Sequence, residues 1–430
     1  MHLPLAAALA VLCPQQDGPH EPLAAGPFVG ACDADSIRLW ARAREVGRYV
    51  IRLREAGEPE RPGVAAEASD ENDKTLHWHV TGLRGAKAPF GWRLEKDGET
   101  LAVVDFGYLR CSIDDAHGRA RIALGSCADE RRAPELPVFG QIVRASPDAL
   151  VLLGDTPYVE STFLDVQRKR YAAFVAHPSI AACLRVVPTY ATWDDHDYAT
   201  NDRFGDVDGR ERSRKAFAEN HALDSYGDGE QGIYTRFRRG PIEVFVLDTR
   251  WFADEEPCPF EPGKRSLLGA RQIGWLQDGL RRSDAAFKVL ACGMVWNGAV
   301  RPQKLDCWGH WPHERDAILR WLGDAKIGGV VLVGGDLHVT RLIRHGTKSL
   351  CGYDVLECVT SPLAQDVIPA NAGKTDGVLF DAQPASTFLL LDADRTDSGA
   401  QLVLRFVDGA GEELFAHACT LAELTAATAR

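Results

Sequence analysis

Six nearly continuous apolar runs, all in the second part of the chain, constrain this sequence more than any other feature. They are RIALGSC (Arg121 to Cys127), ALVLLGD (Ala149 to Asp155), LRVVPTYATWDD (Leu184 to Asp195), IEVFVLDTR (Ile242 to Arg250), FKVLACGMVWN (Phe287 to Asn297) and GVVLVGGDLH (Gly329 to His338). Runs without polar alternation mark strands buried on both faces, as in an α/β sheet covered by helices. Helical stretches lie between them, over Thr162–His177, Arg210–Tyr226, Ala270–Ser283 and Glu314–Ala325. The last two carry apolar residues at i, i+3, i+4 and i+7. Glu255–Arg265, with three prolines, and Cys307–Pro312 read as loops.

Before Gly118 the texture differs. Ser36–Ala43, Arg48–Glu55, Leu76–Leu83 and Phe90–Glu99 alternate apolar and polar residues, and Asp97-Gly98 is a hairpin-type turn. Roughly 85 such residues fit a small β-sandwich of immunoglobulin or fibronectin type. The expected division is a leader over 1–25, a β-sandwich over 26–112, an α/β catalytic domain over 118–410 and a C-terminal tail over 411–430.

Charge and cysteine content narrow the function classes. Forty-nine basic against 61 acidic side chains leave a net charge of −12, which disfavours a stable nucleic-acid complex, because phosphate-backbone affinity comes from Lys and Arg. A phosphate-ester substrate would need its charge met locally. The longest apolar run, Leu3 to Cys13, is interrupted by Pro4 and falls short of the ~18 residues of a membrane span. With the polar stretch after it, this run reads as an export segment, although it has no basic start and no twin arginine. The expected location is therefore extracytoplasmic, with Cys13 a candidate lipid anchor against which the large Leu12 argues. Eleven cysteines are too few for a disulfide scaffold, and the odd number leaves at least one thiol without an intramolecular disulfide partner.

Each buried run ends in residues that are costly beside a core: Cys127, Asp155 with Tyr158, Asp194-Asp195-His196, Asp248 with Arg250, Asn297, and Asp336 with His338. Ligands of open α/β sheets bind at the carboxyl ends of the strands. Taken singly, Cys127 is an ordinary core residue, Asp155 a cap and Tyr158 a residue under a loop. Together they are metal ligands, and hard carboxylates beside thiolate, phenolate and imidazole suggest two unlike metals. Asp194, Asp195 and Asp197 would repel one another without cations or donors among them. Asp336 and His338, at i and i+2, are expected on one side of an extended backbone. Other candidates fail. Ala372-Gly373-Lys374-Thr375 lacks the first P-loop glycine, where Ile368 sits, and Gly125-Ser126-Cys127 lacks the glycine spacing of a nucleophile elbow. His77 and His79 read as an exposed strand face, and His310 and His313 as loop residues.

The ordered set GSC, LGDxxY, WDDHD and GGDLH resembles the alkaline phosphatase D family of calcineurin-like metallophosphoesterases. The likeness runs from about Gly26 to Val407 and includes Val80–Gly98, Leu267–Leu290 and His313–Leu322. It implies a four-layer αββα sandwich after the β-sandwich. It also implies that Cys127, Asp155, Tyr158 and His338 hold a ferric iron. Asp155 would bridge to one or more calcium ions held by Asp336 and the Asp194–Asn201 loop, with Asp195 and Asn201 both kept as the loop ligand. A zinc or manganese pair is the alternative. The implied activity is hydrolysis of small phosphomonoesters or diesters by a metal-bridging hydroxide or oxide. His196 is placed to protonate the leaving group, and Arg250 either clamps a phosphoryl oxygen or forms a structural ion pair. A phospholipase-type phosphodiesterase and a non-catalytic extracytoplasmic binding protein remain open.

Overall fold

The computed structural model of the chain describes residues 22–55, 57–83, 90–107 and 118–427. The expected leader with Cys13 lies outside them.

The six apolar runs all become strands, and they belong to two facing mixed sheets. The first sheet runs, edge to edge, through Thr189–Thr192, Ala149–Leu153, Gly118–Gly125, Thr387–Thr396, Gly399–Asp408 and Glu413–Thr420. Its first three strands are parallel and the others antiparallel. The second sheet runs through Thr235–Arg239, Ile242–Val246, Phe287–Ala291, Val330–Gly334, Leu356–Val359, Thr340–Arg344 and Val378–Ala382. Ile242–Val246, Phe287–Ala291, Val330–Gly334 and Leu356–Val359 form its parallel centre. The sheets meet face to face: the Thr192 hydroxyl donates to the Leu247 carbonyl at 3.0 Å, and Phe380 stacks on Phe415 with ring centroids 4.7 Å apart. Helices Leu164–Ala176 and Pro178–Leu184 cover the first sheet, where Phe174 and Leu184 lie beside Leu152. Helix Gly269–Arg282 covers the second, with Trp275 edge-on to Phe245. This is the expected four-layer αββα order.

Two expectations are corrected here. The segment read as a tail after residue 410 supplies the edge strand Glu413–Thr420, and Leu424 is buried in the main core. Its mixed apolar and polar residues, most of them partly exposed, suit an edge strand with one solvated face. Glu255–Arg265 is a short hairpin, Pro257–Cys258 against Glu261–Arg265.

The N-terminal strands form a three-stranded sheet (Leu23–Cys32, Ile37–Ala43, Thr75–Val80) and a four-stranded one (Val64–Ala68, Gly47–Glu55, Phe90–Lys96, Glu99–Gly107). Ile37, Leu39, Ile51, Leu53, Trp78 and Leu94 close a separate core between them. The sandwich is not loosely tethered. Phe28 and Trp40 stack at 5.3 Å and belong to the core of the larger part. The Trp40 indole donates to the Glu219 carbonyl at 2.7 Å, and buried Arg239 donates to the carbonyls of Cys32 and Asp148. His77, exposed as expected, also bonds the Glu219 carbonyl. The nine described cysteines are all buried and none is in a disulfide.

Trp40→Ala should therefore cost about 3–5 kcal/mol of stability, the usual range for a buried tryptophan. Urea unfolding reads this, and a loss below ~1 kcal/mol would mean that the two parts are stabilised independently.

Candidate metal centre

The parallel strands of both sheets end at one crevice, and there the backbone turns sharply. Cys127, Asp155, Asp336 and His338 all have positive φ, at 58°, 53°, 64° and 55°. Left-handed backbone at a residue with a side chain costs on the order of 1 kcal/mol each and persists only where surroundings enforce it. Close packing enforces it here. A Cβ on Gly154 would meet the Asp194 amide nitrogen at 2.3 Å, and one on Gly335 would meet the Ser126 hydroxyl at 2.4 Å. Asp336 and His338 thus do not share one side of an extended strand. Buried Leu337 separates them at a bend, and they serve adjacent parts of the crevice.

Cys127 Sγ, one oxygen of Asp155 and a ring nitrogen of His338 lie within 4.8 Å of one another. The Cys127 thiol faces Asp155 Oδ2 at 3.5 Å. His338 donates Nδ1–H to the Asp366 carbonyl at 2.5 Å, which leaves the Nε2 lone pair toward the crevice. The Tyr158 hydroxyl reaches that nitrogen at 2.9 Å. Burial pushes Cys127 up to about 11, and burial followed by the charges of Cys127 and Asp155 pushes Tyr158 well above its ordinary value. Burial likewise raises Asp155, helped by Cys127, Asp195 and Asp197 against the opposing charge of His196. Four acidic or donor groups crowded without a cation are poorly compensated, and a metal ion among them removes the repulsion. The donor set fits one.

On the other side, Asp155, Asp195 and His196 form a second group, and Asp194, Asp195 and Asp336 a third. Asp155 therefore belongs to both sides of the crevice. The amides of His196 and Asp202 hold the Asp195 carboxylate, at 3.0 and 2.5 Å. Burial opposes ionisation of Asp195, but Arg250, His196 and Lys304 outweigh it and hold the group below the ordinary carboxylate range. Asp197 points away, accepting the Asp194 amide at 2.5 Å, so it shapes the turn. Asn201 is exposed, with its amide donating to Glu160. Of the two candidates for the loop position, Asp195 is the one gathered with other carboxylates. His196 turns Nδ1 to Glu160 in a short contact and tilts over Tyr158, with ring centroids 4.5 Å apart.

Arg250 does not face a substrate. It is wholly buried, and its five N–H donors are taken: Nε and Nη2 go to Asp194, Nη1 and Nη2 to Asp306 at 3.2 Å, and Nη1 to the Arg203 carbonyl. The structural-pair alternative describes it, with partners other than Asp248. Asp248 accepts the Trp193 indole and the amides of Ile233, Arg250 and Trp251. Asn297 donates to buried Glu357. Both are structural. Sequence reading missed Asp202, Asp306, Lys304 and Glu160. Asp195, Asp202 and Asp306 form a fourth group, and Lys304 Nζ lies 2.9 Å from Asp336 and 3.0 Å from Asp306. The one available signal is Lys304-Leu305-Asp306, two charges flanking an apolar residue just ahead of the Cys307–Pro312 loop.

The family model for PhoD-like phosphatase matches residues 122–393. Alkaline phosphatase D of Bacillus subtilis (strain 168) is 26% identical over an alignment covering 40% of this chain and 35% of that protein, so the match spans about a third of the relative's length. Among solved structures, that of PhoD superposes with a TM-score of 0.74 at 18% identity, covering 94% of this chain and 90% of the other. A purple acid phosphatase from yellow lupin (Lupinus luteus) seeds gives 0.67 at 12% identity, covering 92% and 74%. These two likenesses concern the fold.

Because Arg250 neutralises two buried carboxylates, Arg250→Met should destabilise the protein by roughly 3–5 kcal/mol, the cost of leaving buried charge unpaired. Chemical denaturation measures this. Unchanged stability with a raised KM would instead restore the substrate-clamp role.

Proposed function

The chain belongs to the PhoD-like phosphatase family, and from that premise we propose that it hydrolyses small phosphate esters, mono- or diesters, at the strand-end crevice. The observation that carries the reading is the convergence of Cys127, Asp155 with Tyr158, and His338, from three separate chain segments, with carboxylates of Asp194, Asp195 and Asp336 beside them. Cys127, Asp155, Tyr158 and His338 hold the first metal. Their anionic sulfur and phenolate oxygen favour a trivalent iron over zinc or manganese. Asp195, Asp336 and Asp194, all hard oxygen donors, hold calcium, with Asp155 turned to both sides. Metals bound there supply Lewis acidity to the phosphoryl oxygens and acidify the attacking water.

The chain's own residues do the rest. The His338 amide donates to the Ser361 hydroxyl at 3.1 Å and the His338 Nδ1–H donates to the Asp366 carbonyl, so the ligand nitrogen is oriented before anything binds. Glu160 fixes His196 in the same way and leaves its Nε2 as the proton donor to the departing alkoxide. Burial disfavours the protonated ring, but Asp155, Glu160 and Asp195 outweigh it and hold the proton up to about 11. Asp155 and Asp195 are two of those charges, and were they to hold a metal ion, His196 would release its proton more readily. An extracytoplasmic location belongs to the same proposal, supported by the apolar stretch Leu3 to Cys13. Among the described residues no helix is long and apolar enough to cross a membrane.

Purified protein assayed against phosphomonoesters, diesters and phospholipids should turn over at least one class and lose that activity on chelation. Full metal content without turnover of any class would make it a binding protein.

His196→Ala should lower turnover by ~10²-fold or more on alkyl esters, with a smaller loss on aryl esters, whose leaving groups need no proton. Equal losses would remove His196 from the acid role. The purified protein should absorb in the visible through phenolate and thiolate charge transfer to ferric iron, and Tyr158→Phe should shift or bleach the band. Colourless, active protein with zinc and no iron would contradict the metal assignment.

A further inference from the structure

Lys304 lies between the Phe287–Ala291 strand and the Pro312–Asp324 helix, and its ammonium points into the acidic crevice; the side chain is only 3% exposed. Its Nζ stands 2.9 and 3.1 Å from the two oxygens of Asp336, 3.0 Å from Asp306 and 3.4 Å from Asp202. Those partners span two groups of carboxylates, Asp194–Asp195–Asp336 and Asp195–Asp202–Asp306, each close enough to share a cation. A compact charge with three donors thus sits where hard oxygen ligands converge. Charge counting sharpens the point. Five carboxylates, those of Asp194, Asp195, Asp202, Asp306 and Asp336, face three fixed cations, while Asp155 and protonated His196 beside them offset each other. Arg250 is committed to Asp194 and Asp306, Arg301 to Asp202 and Lys304 to the corner between Asp336 and Asp306. The remaining negative charge matches one divalent ion. One buried oxygen also waits for a partner: Asp194 Oδ2 accepts no hydrogen bond, and the residue is 1% exposed.

We infer that Lys304 is the protein's own cation for the Asp202–Asp306–Asp336 corner, where a further divalent ion would otherwise bind, so that the carboxylate side of the crevice takes one divalent ion. This rests on the metal-centre reading above and fixes how many ions that centre holds. Lys304 excludes an extra ion by charge and by occupancy, and it keeps Asp336 oriented toward the remaining site.

Equilibrium dialysis against calcium, followed by elemental analysis, counts the ions without reference to turnover. Wild type should retain the Cys127-site metal and one divalent ion per chain. Lys304→Met, which keeps the apolar stem and removes the charge, should take up about one further divalent equivalent, and Lys304→Arg should not. Adding Asp202→Asn to Lys304→Met should abolish that extra equivalent. Should Lys304→Met fail to fold, the wild-type count still decides. Two or more divalent ions on wild type beside the Cys127-site metal, or a folded Lys304→Met with the wild-type count, would overturn the inference and leave the metal-centre reading standing. Wild type that binds no metal would overturn both.

Discussion

Negative charge buried where two sheets meet is the constraint on which the rest of the structure depends. Asp155, Asp194, Asp195, Asp306 and Asp336 are all nearly inaccessible to water and crowd the same crevice. Carboxylates in such a place ionise only beside cations or good donors. Arg250 supplies the protein's main answer, joining Asp194 and Asp306 through four of its five N–H groups and giving the fifth to the Arg203 carbonyl. The backbone supplies another through the amides of His196 and Asp202 on Asp195. What remains uncompensated lies around Cys127, Asp155, Tyr158 and His338 on one side and among Asp194, Asp195 and Asp336 on the other, and that charge is the basis for the metal-centre reading.

The fold makes this crowding affordable by rigidity. Strands buried on both faces fix the positions of their carboxyl ends. Left-handed turns at Cys127, Asp155, Asp336 and His338 then aim the side chains inward within two to four residues of each strand's end. Such turns cost energy locally and are tolerated because glycines beside them let neighbouring backbone come close. Among the described residues, the N-terminal sandwich contributes none of the groups gathered at the crevice. It braces the larger part through Phe28, Trp40 and the Arg239 bridge near the first sheet.

Much of the fold and the inner part of the site were legible in the sequence. Burial on both faces leaves a local record, an unbroken apolar run, and a polar residue at its end is conspicuous for that reason; Cys127, Asp155, Asp194 and Asp336 were found this way. Arg250 was seen but half misjudged, because its partners Asp194 and Asp306 are each 56 residues away and no local pattern pairs them. Lys304 and Asp306 sit in a segment without periodicity, so only tertiary structure brings them to Asp336. The strand Glu413–Thr420 was read as a tail because its mixed polar pattern marks a half-solvated edge and not a core strand. The bend at Leu337 was invisible for a similar reason: i, i+2 spacing gives one face only if the backbone is extended, and here it is not.

The account turns on Asp155, the one carboxylate grouped both with Cys127 and His338 and with Asp195 and His196. The most direct test is metal analysis of purified Asp155→Asn beside wild type, with folding checked by circular dichroism. A shared ligand predicts that the folded variant loses most of both the Cys127-site metal and the carboxylate-site metal together. A folded Asp155→Asn that keeps either metal at wild-type occupancy would contradict a single carboxylate joining the two sides.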